Sequence, residues 1–256
     1  MKRIGLIPER ILSALAVLSV ALLSACAAPT PGAQTSGAVY DPYEETNRKI
    51  HGFNVALDKA FVRSASKGYT TVVPEPMLDS VTYFSDNLSM PSAFVNSLLQ
   101  GNFKRAGTAA LRFALNSTIG FAGLADPATD FGIPPADTDF GETLHVWGFG
   151  EGPFVMLPIY GPSTSRDAIG VVTDLFTNPL SYAPQRPIKN IGVWARALDQ
   201  MGNRGRYSDV VDSILYDSAD SYAQLRTIYL QNRRFELGET DAASEIDPYA
   251  LDTEGF

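Results

Sequence analysis

DPYEETNRKIHGFNVALDKAF, residues 41–61, sets the architecture of this chain. Ile50, Phe53, Leu57 and Phe61 recur at spacings of three and four, which places them on one face of a helix. Asp41 followed by Pro42 has the chemistry of a helix start, an acceptor side chain ahead of a residue whose φ is already helical. The same period continues outward. Leu78, Val81, Phe84 and Leu88 form a second stripe that Pro91 is expected to end, and Ala93–Leu99 makes a third run. Asn102 is placed to cap a fourth through Phe103, Ala106, Ala110, Phe113 and Ala114. Ile169, Val172 and Phe176 mark a helix stopped at Asn178-Pro179, and Ile188, Ile191, Trp194, Leu198 and Met201 line another, ended by Gly202. A last one begins near Asp220 with Tyr222, Leu225 and Tyr229, and Arg233 and Arg234 sit near its negative end. Strict alternation over a full strand is hard to find. The predicted fold class is all-α, a single helical domain over residues 41–238.

Two irregular segments interrupt the helices, Gly120–Thr143 and Gly148–Thr164. The second contains GFGEGPFVMLPIYGP, residues 148–162, whose glycines and prolines forbid a long helix. Yet Phe149, Phe154, Val155, Met156, Leu157, Ile159 and Tyr160 make it strongly apolar. Loops normally run over wet surfaces. An irregular apolar segment suits a place at membrane depth, buried in protein or lining a water-filled cavity, and Trp147 and Tyr160 suit a lipid interface.

The N-terminus supplies a reason to expect lipid. Lys2, Arg3 and Arg10 precede an apolar stretch, Ile11–Leu23, that is short for a bilayer span, and LSAC at 23–26 ends it. Residues 1–25 read as a lipoprotein signal peptide and Cys26, the single cysteine, as the acylation site. Residues 26–40, uncharged and built of Ala, Pro, Thr, Gly and Ser, read as a flexible tether, and the acidic segment 239–256 as a disordered tail. Ala27 after Cys26 points to the outer membrane.

Charge and motifs exclude several function classes. The formal charge of −8 becomes −10 without residues 1–25, whose charged members are Lys2, Arg3, Glu9 and Arg10. That argues against nucleic acid and against electrostatic adhesion to anionic lipid. His51 and His145 are the only histidines; no zinc spacing and no nucleophile elbow occurs, and GFGEG lacks the ending of a phosphate loop. No catalytic residue, metal or cofactor is predicted. His51 reads as a packed residue, and Arg166-Asp167 as the start of a helix.

Laid out in this order, DPYEETNRKIHGFNVALD (41–58), MPSAFVNSLLQGNF (90–103), RFALNSTIGFAGLAD (112–126) and FGETLHVWGFGEGPFVMLPIYGPSTSRD (140–167) resemble the MlaA/VacJ family of outer-membrane lipoproteins over roughly residues 41–238. His51 and Ser64 depart from the family pattern, which tends to carry an aromatic and a proline there. The resemblance implies a ring-like helical platform with a central channel, embedded in the inner leaflet on the periplasmic side of the outer membrane. It implies removal of mislocalised phospholipids from the outer leaflet and their delivery to a soluble periplasmic carrier, with trimeric porins as further partners and no hydrolysis. Phe53, Asn54, Trp147, Phe149, Phe154, Val155, Met156, Leu157, Ile159 and Tyr160 are the residues expected at the lipid or channel surface. The alternatives are a scaffold lipoprotein bound to porins without transport, and a lipoprotein phospholipase using Ser163 or Ser165.

Overall fold

The computed structural model describes residues 39–182 and 186–239; the signal peptide 1–25, Cys26, nearly all of the tether and the acidic tail from residue 240 lie outside the described residues. The opening stretch is helical, α1 (Glu44–Leu57), but its start differs from the expectation: Tyr43 stands at the N-cap and makes no side-chain capping bond. Asp41 is engaged elsewhere, as described below. α1 continues through a π-helical turn (Asp58–Val62) into α2 (Arg63–Val72), which ends as Val73 becomes extended ahead of Pro74.

α3 (Glu75–Leu99) runs through Pro91, where an end was expected. Met90 and Ala93, on either side of the proline, are buried with Ala109 and Ala136, and Phe113 packs on them. This packing offsets the one lost backbone bond. α4 (Phe103–Thr118) is capped by Asn102, whose side chain accepts from the Arg105 amide. A loop containing the single turn α5 (Pro127–Asp130) leads to α6 (Phe140–Val146).

The segment expected to be irregular is an antiparallel hairpin, β1 (Phe154–Leu157) and β2 (Gly161–Thr164), paired in the register Phe154↔Thr164 to Leu157↔Gly161. Gly161 at φ +100 makes the reversal that an L side chain would strain. The fold is therefore helical with one small β ribbon among the described residues. α7 (Ser165–Thr177) follows, capped by Thr164, and ends ahead of Pro179 as the sequence indicates. After a 3₁₀ turn (Pro179–Tyr182), α8 (Arg186–Arg206) passes through Gly202 rather than stopping there. α9 (Ser208–Asp212), a second π-helical turn (Ser213–Asp217) and α10 (Ser221–Glu236), capped by Asp220, complete the order.

The stripes that reveal the helices do not all point inward. Ile169, Val172 and Phe176 on α7 are exposed, while Arg166, Asp167 and Gly170 are buried. Ile191, Trp194 and Leu198 on α8, and Phe53 and Phe61 on the first stripe, are exposed as well. Of the thirteen phenylalanines among the described residues, Phe154 alone is buried and nine are exposed. Buried polar residues include Asn47, His51, Asn87, Asn96, Asn116, Thr143 and Thr164. Leu78, Met90, Phe154, Met156, Tyr222 and Leu230 are buried beside them, but so many large apolar side chains on the outside form the kind of extended exposed patch that marks an interaction or membrane surface. No helix among the described residues is long and apolar enough to cross a membrane.

Close helix crossings rest on small residues. A Cβ on Gly170 of α7 would lie 2.5 Å from the Gly141 nitrogen and 2.8 Å from its Cα on α6, backbone atoms that cannot swing aside. Gly170→Ala is expected to destabilise the protein by about 1–3 kcal/mol through overpacking. Denaturant unfolding of the detergent-solubilised variant measures this, and a wild-type midpoint refutes it.

Candidate functional site

The hairpin is the centre of the site, and α1 holds it. A two-stranded ribbon leaves the outer edge of each strand in need of partners; on the β1 side one backbone bond, from the Phe154 amide to the Tyr40 carbonyl at 2.9 Å, meets part of that need. Asn47 and Asn54, seven residues apart and thus on one face of α1, meet the free edge of β1. Asn47 Nδ2 donates to the Phe154 carbonyl at 3.1 Å, and the Met156 amide donates to Asn47 Oδ1 at 2.9 Å. One step along, Asn54 Nδ2 donates to the Leu157 carbonyl at 3.0 Å, and the Ile159 amide donates to Asn54 Oδ1 at 2.8 Å. The two side-chain amides act as a substitute third strand. Their hold explains how Ile159, a β-branched residue, sits at φ +68 at the hairpin tip.

The other side of β1 faces α10. Phe154 is 1% and Met156 2% exposed, and the Phe154 ring meets Tyr222 and Tyr229 edge-on at 6.0 and 6.4 Å. These two residues were expected at the lipid or channel surface; the pleat turns both inward, Phe154 onto the α10 rings and Met156 toward the space between α1, the hairpin and α10. Val155 and Leu157 are half-buried. Ile159, Tyr160, Trp147, Phe149 and Phe53 are exposed, with the Trp147 indole N–H spent on the Leu99 carbonyl at 3.0 Å. Asn54 is a clamp on the hairpin.

Beneath the hairpin lies an ionic layer that the sequence reading missed. Asp41 accepts from Arg226 at 2.6 Å, from Asn47 at 2.9 Å and from the Tyr222 hydroxyl. Asp167 accepts from Arg233 at 3.1 Å and from the hydroxyls of Tyr229 (2.8 Å) and Thr164 (2.9 Å). Burial alone would raise the Asp167 pKa, but Arg233 and the two hydroxyls outweigh it and hold the carboxylate below its usual range. Burial and Asp167 together push the Tyr229 phenol upward. Asp58 and Asp212 bind Arg204 at 2.7–2.9 Å, and Tyr216 donates to Asp58 at 2.6 Å. The one signal available beforehand was the Asn47–Asn54 spacing.

The serines considered for hydrolysis donate to backbone carbonyls, Ser163 to Thr164 at 3.2 Å and Ser165 to Pro153 at 3.2 Å. His51 Nε2 instead lies 2.9 Å from the Ser221 hydroxyl, at the first turn of α10, with its ring edge-on to Tyr222. Burial lowers its pKa, and the attraction of Asp220 does not overcome that. No group of three or more acidic, histidine or cysteine side chains suited to a metal occurs among the described residues.

Comparison with known proteins adds the following. A family model described as MlaA lipoprotein matches residues 39–236. The chain is 35% identical over 243 residues to the intermembrane phospholipid transport system lipoprotein MlaA of Escherichia coli (strain K12), covering 93% of each chain. It is 29% identical to the Haemophilus influenzae protein of the same description, over 88% of this chain and 89% of that one. An uncharacterized protein of Rickettsia bellii is 35% identical over 76% of both. A solved chain from work on the structural basis for maintenance of bacterial outer membrane lipid asymmetry superposes with a TM-score of 0.66 at 31% identity, over 77% of this chain and 98% of that one.

Two outcomes test the site. Asn47→Leu removes both bonds to β1 and leaves buried backbone groups unpaired, so it is expected to cost about 1–3 kcal/mol per orphaned group and to speed amide exchange at Met156. An exchange rate equal to wild type at that amide counts against the clamp. His51, its pKa lowered on folding, takes up a proton on unfolding; stability is therefore full above about pH 6.5 and falls as pH drops below it. Melting curves of wild type and His51→Gln between pH 5 and 8 are expected to diverge on the acid side, with the variant flatter.

Proposed function

Because the chain belongs to the MlaA lipoprotein family, we propose that it is an outer-membrane lipoprotein that removes mislocalised phospholipids from the outer leaflet and passes them to a soluble periplasmic carrier, maintaining lipid asymmetry. The observation that carries this reading is the distribution of side chains: apolar faces outward on α7 and α8, with Phe53 and Phe61 exposed as well, and ionic and amide groups within. Exposed apolar surface on this scale is stable against acyl chains and not against water. A helical body lying within one leaflet needs no membrane-crossing helix, in keeping with the helix lengths found. In this reading acylation of Cys26 anchors the protein, and the body sits in the inner leaflet on the periplasmic side. The ring-like platform, central channel and porin trimers of the family complete it. Phe53, Trp147, Phe149, Ile159 and Tyr160 are the lipid-contacting members of the site, with Val155 and Leu157 at its margin. The polar interior supplies hydrogen bonds to headgroups that would otherwise lose several kcal/mol each in an apolar layer.

A hydrolase reading has one observation in its favour, the Ser221–His51 contact. Release of fatty acid from phospholipid by the purified protein, abolished in Ser221→Ala, would establish it. A scaffold reading differs from transport in the cell: deletion leaves surface phospholipid unchanged under the first and raises it under the second.

Transport predicts that a deletion strain accumulates outer-leaflet phospholipid, and that wild type restores it while Cys26→Ala does not. It further predicts that Phe149→Asp and Ile159→Asp yield folded protein with impaired clearance. Phe154→Asp, by contrast, places a charge in the core and is expected to prevent folding. Surface phospholipid labelling and circular dichroism read the two effects apart, and unchanged surface lipid on deletion removes the transport reading.

A further inference from the structure

A cavity of about 160 Å³ opens between α1, the hairpin, the second π-helical turn and α10. Its apolar lining comes from Val55, Met156, Ile159, Leu215 and Leu225. Three polar side chains reach the wall, and each is already committed to protein. His51 Nε2 is bonded to Ser221 at 2.9 Å; Asn54 gives its amide to Leu157 and Ile159; Asp58 is taken by Arg204 and Tyr216.

The cavity is built into the fold. Both π-helical turns border it, one through Asp58 and the other through Leu215. A π turn inserts a residue into a helix at the expense of regular hydrogen bonding and is frequent at functional sites. Here the two are tied together by the Asp58–Tyr216 bond of 2.6 Å and through Arg204, which bridges Asp58 and Asp212. Enclosed apolar cavities of comparable size take up small hydrocarbons, and the apolar share of this lining offers the same kind of contact.

We infer that this cavity between α1, the hairpin and α10 seats the terminal part of an alkyl chain, without regard to the headgroup attached to it. This deepens the transport reading by naming the end of the lipid that this part of the protein receives. Ile159, at the exposed hairpin tip and in the cavity wall, stands at its mouth.

Binding of n-alkyl glucosides and n-alkyl phosphocholines, measured by calorimetry below their micelle concentrations on full-length protein held in amphipol, tests this. Each added methylene is expected to tighten a saturable one-site component about fourfold until the cavity is filled, after which affinity levels off. The two headgroups should agree within about threefold at equal chain length, a factor below the fourfold of one methylene. Val55→Phe and Leu215→Phe fill the cavity from different sides and are expected to lose at least about tenfold, the equivalent of two methylenes; two variants guard against one failing to fold. No saturable component, affinity that follows the headgroup, or undiminished binding in a folded filled variant overturns the inference. Surface phospholipid is measured in parallel: absence of alkyl binding with clearance intact sinks the seat alone, whereas deletion without surface accumulation sinks the transport reading alone.

Discussion

Backbone amides and carbonyls away from water must be paired from within the protein, and the hairpin shows how this chain meets that demand. An isolated ribbon is marginal even in water, because half of its edge groups depend on solvent. In an apolar layer that solvent is missing. Asn47 and Asn54 replace it on the β1 side with four hydrogen bonds of 2.8–3.1 Å. Everything about the site follows from that attachment: the pleat sends Phe154 against Tyr222 and Tyr229 and buries Met156, and the tip carries Ile159 and Tyr160 outward.

The same constraint explains why the interior is ionic. With apolar faces turned outward on α7 and α8, helix association there cannot draw on removing those faces from water. Two other means take its place. Backbones approach closely where side chains are absent, as at Gly141 against Gly170 and at Gly205, where a Cβ would meet Thr70 Cγ2 at 2.4 Å. Charged pairs then fix which faces meet. Asp167 with Arg233, Asp41 with Arg226 and Asp58 with Arg204 each join segments far apart in sequence. Buried pairs add little net stability but exclude wrong pairings, since a misplaced partner leaves an uncompensated charge.

How much of this was legible beforehand depends on the kind of signal. Helical period is visible whether a stripe meets core or lipid, so Ile169, Val172 and Phe176 announced a helix correctly while saying nothing of which way they face. Capping is local, so Asn102 and Asp220 could be read directly. Pro91 and Gly202 misled because tertiary packing on Met90, Ala93 and the α8 neighbours outweighed a local penalty. The hairpin was hidden because its strands are four residues long and Pro158 and Pro162 obscure their alternation. Of the candidate surface, Phe53, Trp147, Phe149, Ile159 and Tyr160 are exposed, whereas inside–outside assignment on β1 required the register. The ionic layer was illegible, since its partners lie up to 185 residues apart.

The two π-helical turns join these themes. A regular helix from Glu44 to Val72 would rotate everything after residue 58 by about 100° per residue omitted, given 3.6 residues per turn. The inserted residue keeps Asn47 and Asn54 on the hairpin while turning Asp58 toward Arg204 and Tyr216, and Arg63 toward Asp212 at 2.7 Å. The second turn performs the matching adjustment, setting Tyr216 on Asp58 while Leu215 lines the apolar space beside the hairpin. Polar anchoring and apolar space are thus two consequences of one local distortion. A protein that handles molecules with a charged head and a greasy tail has use for both within a few ångströms, and a regular pair of helices would supply neither.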